Sequence, residues 1–149
     1  MPSHHRGSRE ERRALTLFIA ITRSSDRYQK LALDRAPLPD GLTLSQFAVL
    51  EALYHLGAMY QTTVARKVLK TKGNITLVVT NLERARYLRR RRDEHDRRRT
   101  ILELTPAGST LMADYFPRIA RGFAEAAAVL SPDEQETLIR LAKKLGRTG

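Results

Sequence analysis

The chain contains no cysteine. That removes disulfides, thiolate zinc sites and any thiol-oxidation switch, and it is compatible with a reducing compartment. No apolar run approaches the ~20 residues needed to span a bilayer, so no membrane partner is expected. The charged stretch Met1–Arg13 leads into no apolar run with a small-residue cleavage site, so no secretory leader is expected and the expected location is cytoplasmic. Catalytic signatures are missing as well. His4, His5, His55 and His95 have no zinc-helix spacing. No serine sits in a G-x-S-x-G setting, and there is no glycine-rich phosphate loop. Neither an enzyme nor a cofactor is expected.

Most of the positive excess is confined to one region. The 149 residues carry a formal net charge of +11. Residues 1–40 hold eight basic and five acidic side chains, and residues 41–60 only Glu51. Residues 61–100 hold thirteen basic and four acidic, a net +9, while residues 101–149 balance at six and six. Charge that serves general solubility would be spread out. Charge focused in forty residues points to a polyanionic partner.

The chain is long enough for one domain without staples. Apolar spacing predicts a helix over Glu10–Leu33, with Leu15, Phe18, Ile19, Thr22 and Leu31 near one face. The prolines and Asp-Gly of residues 36–41 make a loop. Thr43-Leu44-Ser45-Gln46 reads as a capping box opening a helix with Phe47, Leu50, Leu53 and Tyr54, which Gly57 terminates. Two short helices follow. Gln61–Leu69 carries Val64, Ala65 and Val68, and Lys72–Arg84 carries Ile75, Val78, Val79 and Leu82, with a break at Lys70-Thr71. Together they outline a helix-turn-helix. Tyr87–Arg91 and Arg99–Leu104 read as strands of a hairpin with a charged tip over 92–98. Thr105-Pro106 starts a long helix in which Pro117 should introduce a kink. Ser131-Pro132-Asp133-Glu134 caps a last helix with Leu138, Leu141 and Leu145. The predicted fold class is mainly α with a small β-hairpin wing.

Seven arginines lie between Arg89 and Arg99. A solvated loop or an unstructured basic tail would account for such a run. Flanking strand patterns and the carboxylates Asp93, Glu94 and Asp96 favour a stiffened hairpin instead. Acids there can close the turn and pair with some arginines while others splay outward. Such a tip is small enough to enter a minor groove, whose negative potential attracts arginine. In the preceding helix, an inward Ile75–Val78–Val79–Leu82 stripe leaves Thr71, Lys72, Gly73, Asn74, Thr76, Leu77, Thr80 and Arg84 outside or on the flanks. Short hydrogen-bonding side chains among cations suit a major groove, where asparagine can pair with adenine, lysine or arginine with guanine, and threonine can touch a thymine methyl. An ordinary amphipathic surface helix would give the same stripe; the adjacent basic block favours the groove.

The stretch Leu42–Gly108 resembles the MarR-type (multiple antibiotic resistance regulator) winged helix-turn-helix transcriptional regulators. The resemblance is carried by "LTLSQFAVLEAL" at 42–53, "VARKVLKTKGNITLVVTNLE" at 64–83, "DEHDRR" at 93–98 and "LTPAG" at 104–108. It implies an obligate homodimer on a pseudo-palindromic operator, usually a repressor. It also implies a dimerisation helix and loop at 10–40, a DNA-binding lobe at 41–105 and dimerisation helices at 106–149; the charged residues 1–9 are expected to be a flexible basic tail. The family's wing arginines correspond to Arg97 and Arg98, with Arg91 and Arg92 alongside and Asp93 and Asp96 as supporting acids. Many relatives bind a small aromatic ligand in a cleft, for which Tyr28, Tyr54, His55, Met59 and Tyr60 are the candidates, set against their being core and interface residues. Three departures stand out. Arg86 occupies a usual glycine position, so the turn there is expected to differ. Thr80 and Thr63 replace common acids. The run Arg89–Arg92 is more basic than usual, so binding is expected to be strongly electrostatic with weak base discrimination.

Two other readings remain open on sequence alone. One is a non-specific or architectural nucleic-acid binder using the same lobe. Tyr87 is the only aromatic residue near the patch, which disfavours stacking on single strands. The other is an adaptor whose apolar terminal helices hold a different protein.

Overall fold

The computed structural model describes residues 6–39, 41–68 and 75–147. Among these residues the elements follow in the order α1 (Arg9–Arg35), α2 (Leu44–Leu56), β1 (Met59–Tyr60), α3 (Gln61–Val68), α4 (Ile75–Arg84), β2 (Leu88–Arg92), β3 (Thr100–Leu104), α5 (Pro106–Ala127) and α6 (Pro132–Gly146). Both capping boxes read from sequence form, at Thr43/Gln46 and Ser131/Glu134. A third, Ser8 with Glu11, starts α1 one residue earlier than periodicity suggested. α5 continues through Pro117 as one element. Among the described residues no helix is long and apolar enough to cross a membrane.

The chain divides into two compact units. One consists of the segments up to Pro37 and from Ile119 onward. Here Ala32 is fully buried, and a Cβ added to Gly122 would stand 2.7 Å from the Ala32 carbonyl oxygen, so α1 and α5 meet backbone to backbone. Much apolar surface in this unit stays open. Leu17, Phe18 and Ile21 of α1 and Leu138, Ile139, Leu141 and Leu145 of α6 are exposed, and α6 buries no residue.

The second unit, Leu38–Arg118, is the lobe that carries the basic block. Its core is Phe47, Val49, Leu50, Leu53, Val64, Val79, Leu82, Leu88, Leu102, Met112 and Tyr115. β2 and β3 form the expected hairpin, with Leu88 opposite Leu104 and Arg92 opposite Thr100. The sequence reading missed β1. Its two residues pair antiparallel with β3, Met59 opposite Leu102 and Tyr60 opposite Ile101, so β3 is the central strand.

The exit from α4 fixes where the hairpin starts. The Tyr87 N–H donates to the Leu82 carbonyl (3.0 Å) and the Arg86 N–H to the Glu83 carbonyl (2.9 Å). These are the two bonds of a Schellman ending, which requires a left-handed residue just past the helix. Arg86 fills that place at φ 61°. The expectation of an altered turn is therefore corrected: the geometry that suits glycine is kept and arginine adopts it. Its carbonyl accepts from the Thr105 hydroxyl (2.6 Å), the Tyr87 carbonyl accepts from the Thr105 N–H (3.1 Å), and the Thr105 hydroxyl accepts from the Gly108 N–H (3.1 Å). This gives Leu104-Thr105-Pro106-Ala107-Gly108 a physical meaning. Threonine caps α5 and clamps the α4–β2 turn. Glycine leaves room for the turn's backbone, since a Cβ at 108 would sit 2.0 Å from the Tyr87 oxygen.

Two outcomes follow for thermal unfolding. Gly108→Ala must push the Tyr87 carbonyl off the clamp and should cost about 1–3 kcal/mol or more. Arg86→Gly relieves a left-handed side chain and should gain about 0.5–1 kcal/mol net of added chain entropy. An unchanged melting temperature for Gly108→Ala would contradict the clamp.

Candidate nucleic-acid interface

α4 presents two faces. Val79 and Leu82 are completely buried, and Ile75 and Val78 are half-buried against the lobe. Thr76, Leu77 and Arg84 are exposed, with Leu77 54% accessible despite being apolar. Thr80 is half-buried. Four candidate base readers, Thr71, Lys72, Gly73 and Asn74, lie outside the described residues.

The strand arginines are not free cations. Arg90, for which the sequence offers no specific role, holds β2 to α4. Its guanidinium donates to Glu83 (2.7 Å) and to the Thr80 hydroxyl (2.8 Å), while its N–H donates to the other Glu83 oxygen (3.2 Å). Thr80 thus spends its oxygen on the wing strand. On the opposite face Arg89 donates to Glu103 (2.6 Å), its direct cross-strand neighbour, and Arg91 lies 3.9 Å from the same carboxylate. Strand alternation produces this division, because consecutive arginines point to opposite faces.

The tip, residues 93–99, is closed from inside. The Asp93 N–H donates to the Arg99 carbonyl (3.1 Å) and the Arg99 N–H to the Asp96 carbonyl (2.9 Å). One Asp93 oxygen accepts the His95 N–H at 2.7 Å and, more weakly, the Asp96 N–H at 3.4 Å. The other accepts the Tyr60 hydroxyl in a very short bond. Asp93 is buried although its neighbours are charged and exposed. Asp96 accepts from the Arg98 N–H (3.1 Å) and Nε (3.2 Å), and Arg92 reaches the Arg97 carbonyl (3.0 Å). The Arg99 guanidinium stacks 3.5 Å from the Tyr60 ring centroid. Arg98 still leaves 92% of its side chain accessible. Arg97 and Arg84 are exposed, with no side-chain partner among the described residues.

The ligand-cleft candidates separate. Tyr60 is committed to the wing. Met59 pairs with Leu102 in the sheet. Tyr54 and His55 cluster with Phe116, the His55 and Phe116 rings 4.4 Å apart. Tyr28 belongs to the other unit, edge-on to Phe123 with its hydroxyl donating to the Phe123 carbonyl (3.2 Å). Among the described residues no cluster of three histidines or carboxylates is placed to hold a metal. The roles of Tyr60, Arg90 and Arg99 had no local signal, since each depends on a partner at least 7 residues away in sequence.

The hydroxyl of Tyr60 and the N–H groups of His95 and Asp96 hold the Asp93 carboxyl below its ordinary 3.8, and the same Asp93 bond raises the Tyr60 phenol. A depressed acid stabilises the folded wing above its unfolded pKa and loses that contribution as pH falls through the folded value. The tip should therefore stay closed from neutral pH down past 3.8. The His95 amide shift in NMR should titrate below that value and lose this titration in Asp93→Asn. A midpoint at or above it would contradict the bonding.

A MarR family profile matches residues 42–100. The chain is 35% identical to the HTH-type transcriptional regulator MhqR of Bacillus subtilis over 136 residues, covering 90% of this chain and 92% of that one. It is 34% identical over 137 residues to the HTH-type transcriptional regulator YkoM of the same organism, covering 92% and 88%. Among solved structures, BpsR of Bordetella bronchiseptica, whose DNA binding is regulated by 6-hydroxynicotinic acid, superposes with a TM-score of 0.77 at 25% identity, over 88% of this chain and 98% of that one. The chain belongs to the MarR family of DNA-binding winged helix-turn-helix transcriptional regulators, which are not enzymes.

Proposed function

We propose that the protein is a homodimeric repressor that binds a pseudo-palindromic operator, with α4 in the major groove and the β2–β3 wing in the minor groove. The observation that carries this reading is the closed tip. It leaves Arg97 and Arg98 exposed on a frame that Arg90 ties to the exposed Thr76–Leu77 face of α4. A rigid arginine-bearing finger fixed to a short-side-chain helix can engage two adjacent grooves without reorganising. Thr71, Lys72, Gly73 and Asn74, just before α4, remain the proposed base-reading segment.

Dimerisation is supported by the open apolar faces of α1 and α6. That much exposed leucine, isoleucine and phenylalanine exceeds what scattered surface residues need, and a second copy would cover it. A dimer laid across a promoter excludes polymerase sterically, so repression requires no further partner. With no cysteine, thiol oxidation cannot release the protein, and we infer a small-molecule ligand for that role. By similarity to BpsR, a small aromatic acid is the class we infer, with the Tyr54–His55–Phe116 cluster as its docking surface.

A non-specific architectural binder would use the same exposed Arg97 and Arg98, and comparing a selected with a random duplex separates the two readings.

The test is quantitative binding to a selected and a random duplex across salt concentrations. Arg97→Ala should weaken both equally and reduce the salt slope by about 0.9 per lost phosphate contact. Asn74→Ala should cost roughly 1–3 kcal/mol on the selected duplex only. An unchanged slope for Arg97→Ala would overturn the wing's role, and sedimentation as a monomer at assay concentration would overturn the dimer.

A further inference from the structure

We propose that Tyr60 is a positioning residue for DNA binding: its phenol supplies Asp93 with a neutral donor, and this keeps the wing's arginines available to the duplex. The inference rests on the minor-groove reading of the wing given above.

A two-stranded hairpin is marginal alone, and this one places arginines on both arms and the tip. A buried carboxylate at its base answers the repulsion but creates a second difficulty. A carboxylate has two oxygens and about four acceptor sites, and the strongest available partner for an unfilled oxygen is a guanidinium. Arg99 is the nearest candidate, since its carbonyl accepts the Asp93 N–H and its guanidinium lies over the ring whose hydroxyl reaches Asp93. A recruited arginine would be lost to phosphate.

Tyr60 prevents that in two ways. Its hydroxyl donates to the Asp93 oxygen that the backbone N–H groups of His95 and Asp96 leave open. Its ring face receives the Arg99 guanidinium at 3.5 Å, so that cation rests on a π-surface rather than on the acid. The residue itself is fixed independently of the tip, because β1 pairs with β3 at Ile101 and runs directly into α3. The phenol therefore links the first helix of the helix-turn-helix to the tip of the wing. Among the described residues the donors to the acid's oxygens are all uncharged, and Arg97 and Arg98 remain exposed.

The experiment measures salt-dependent affinity of the full chain for a fixed duplex, with melting temperature measured in parallel. Tyr60→Phe keeps the ring under Arg99 and removes only the donor. It should lower affinity several-fold and reduce the salt slope by about 0.9, as one arginine turns inward, while the melting temperature moves only a few degrees. Adding Asp93→Asn to Tyr60→Phe removes the anion that recruits the arginine, and an amide can still accept the turn's N–H groups, so the slope should return toward the native value. A native slope in Tyr60→Phe, or no recovery in the double variant, would overturn the proposal. If the double variant melts far below the native chain, the His95 amide shift of Tyr60→Phe decides instead: an unchanged shift at neutral pH would also overturn it. Arg97→Ala in the native background is the separate control, since no change there sinks the wing reading itself while a loss there with a native Tyr60→Phe slope sinks only the inference.

Discussion

One buried carboxylate makes the arginine-rich hairpin possible. Seven arginines between positions 89 and 99 would repel one another and leave the tip unfolded. Asp93 lies at the point where the strands separate. It ties its own oxygens to the turn's N–H groups and to the Tyr60 phenol, and its N–H bonds to the Arg99 carbonyl across the turn. Everything proposed for the wing depends on this closure, because an arginine on a floppy loop would lose to conformational entropy what it gained from phosphate.

Around that closure the lobe sorts its cations by geometry. Strand alternation sends Arg89 and Arg91 to Glu103 and sends Arg90 to Glu83 and Thr80. These pairs lie near the surface with one partner half-buried, where an ion pair contributes modestly to stability, so their importance lies in orienting the side chains. The α4–β2 turn is fixed from the other side by Thr105 and by the space left at Gly108. Helix, turn and wing are therefore one unit held at three places: Arg90 on α4, Thr105 on Arg86 and Tyr60 on Asp93.

Much of this was legible in the sequence, for physical reasons. Capping boxes are local, and Thr43/Gln46 and Ser131/Glu134 form as read. The 3.6-residue stripe of α4 and the alternation of β3 are equally local, and the hairpin is found within one residue of its expected limits. What escaped depends on distant partners. A two-residue strand such as β1 has no periodicity to detect, so the sequence alone offers Tyr60 as a ligand-cleft aromatic and gives no sign of its place in the wing. A sum of charges does not show that strand alternation gives Arg89, Arg90 and Arg91 each a face and a carboxylate partner. The Arg86 expectation failed differently: the position's demand for a left-handed residue was identified, but the clamp from Thr105 is strong enough to hold arginine there.

The rigidity of the free wing is tested most directly by amide hydrogen exchange followed by NMR without DNA, near neutral pH. The Asp93, His95 and Arg99 N–H groups are all bonded within the tip and should exchange far more slowly than amides of an unstructured chain, as expected of a closed element. Exchange of those three at unstructured-chain rates would mean that the finger does not exist before it meets DNA, and would contradict the central claim.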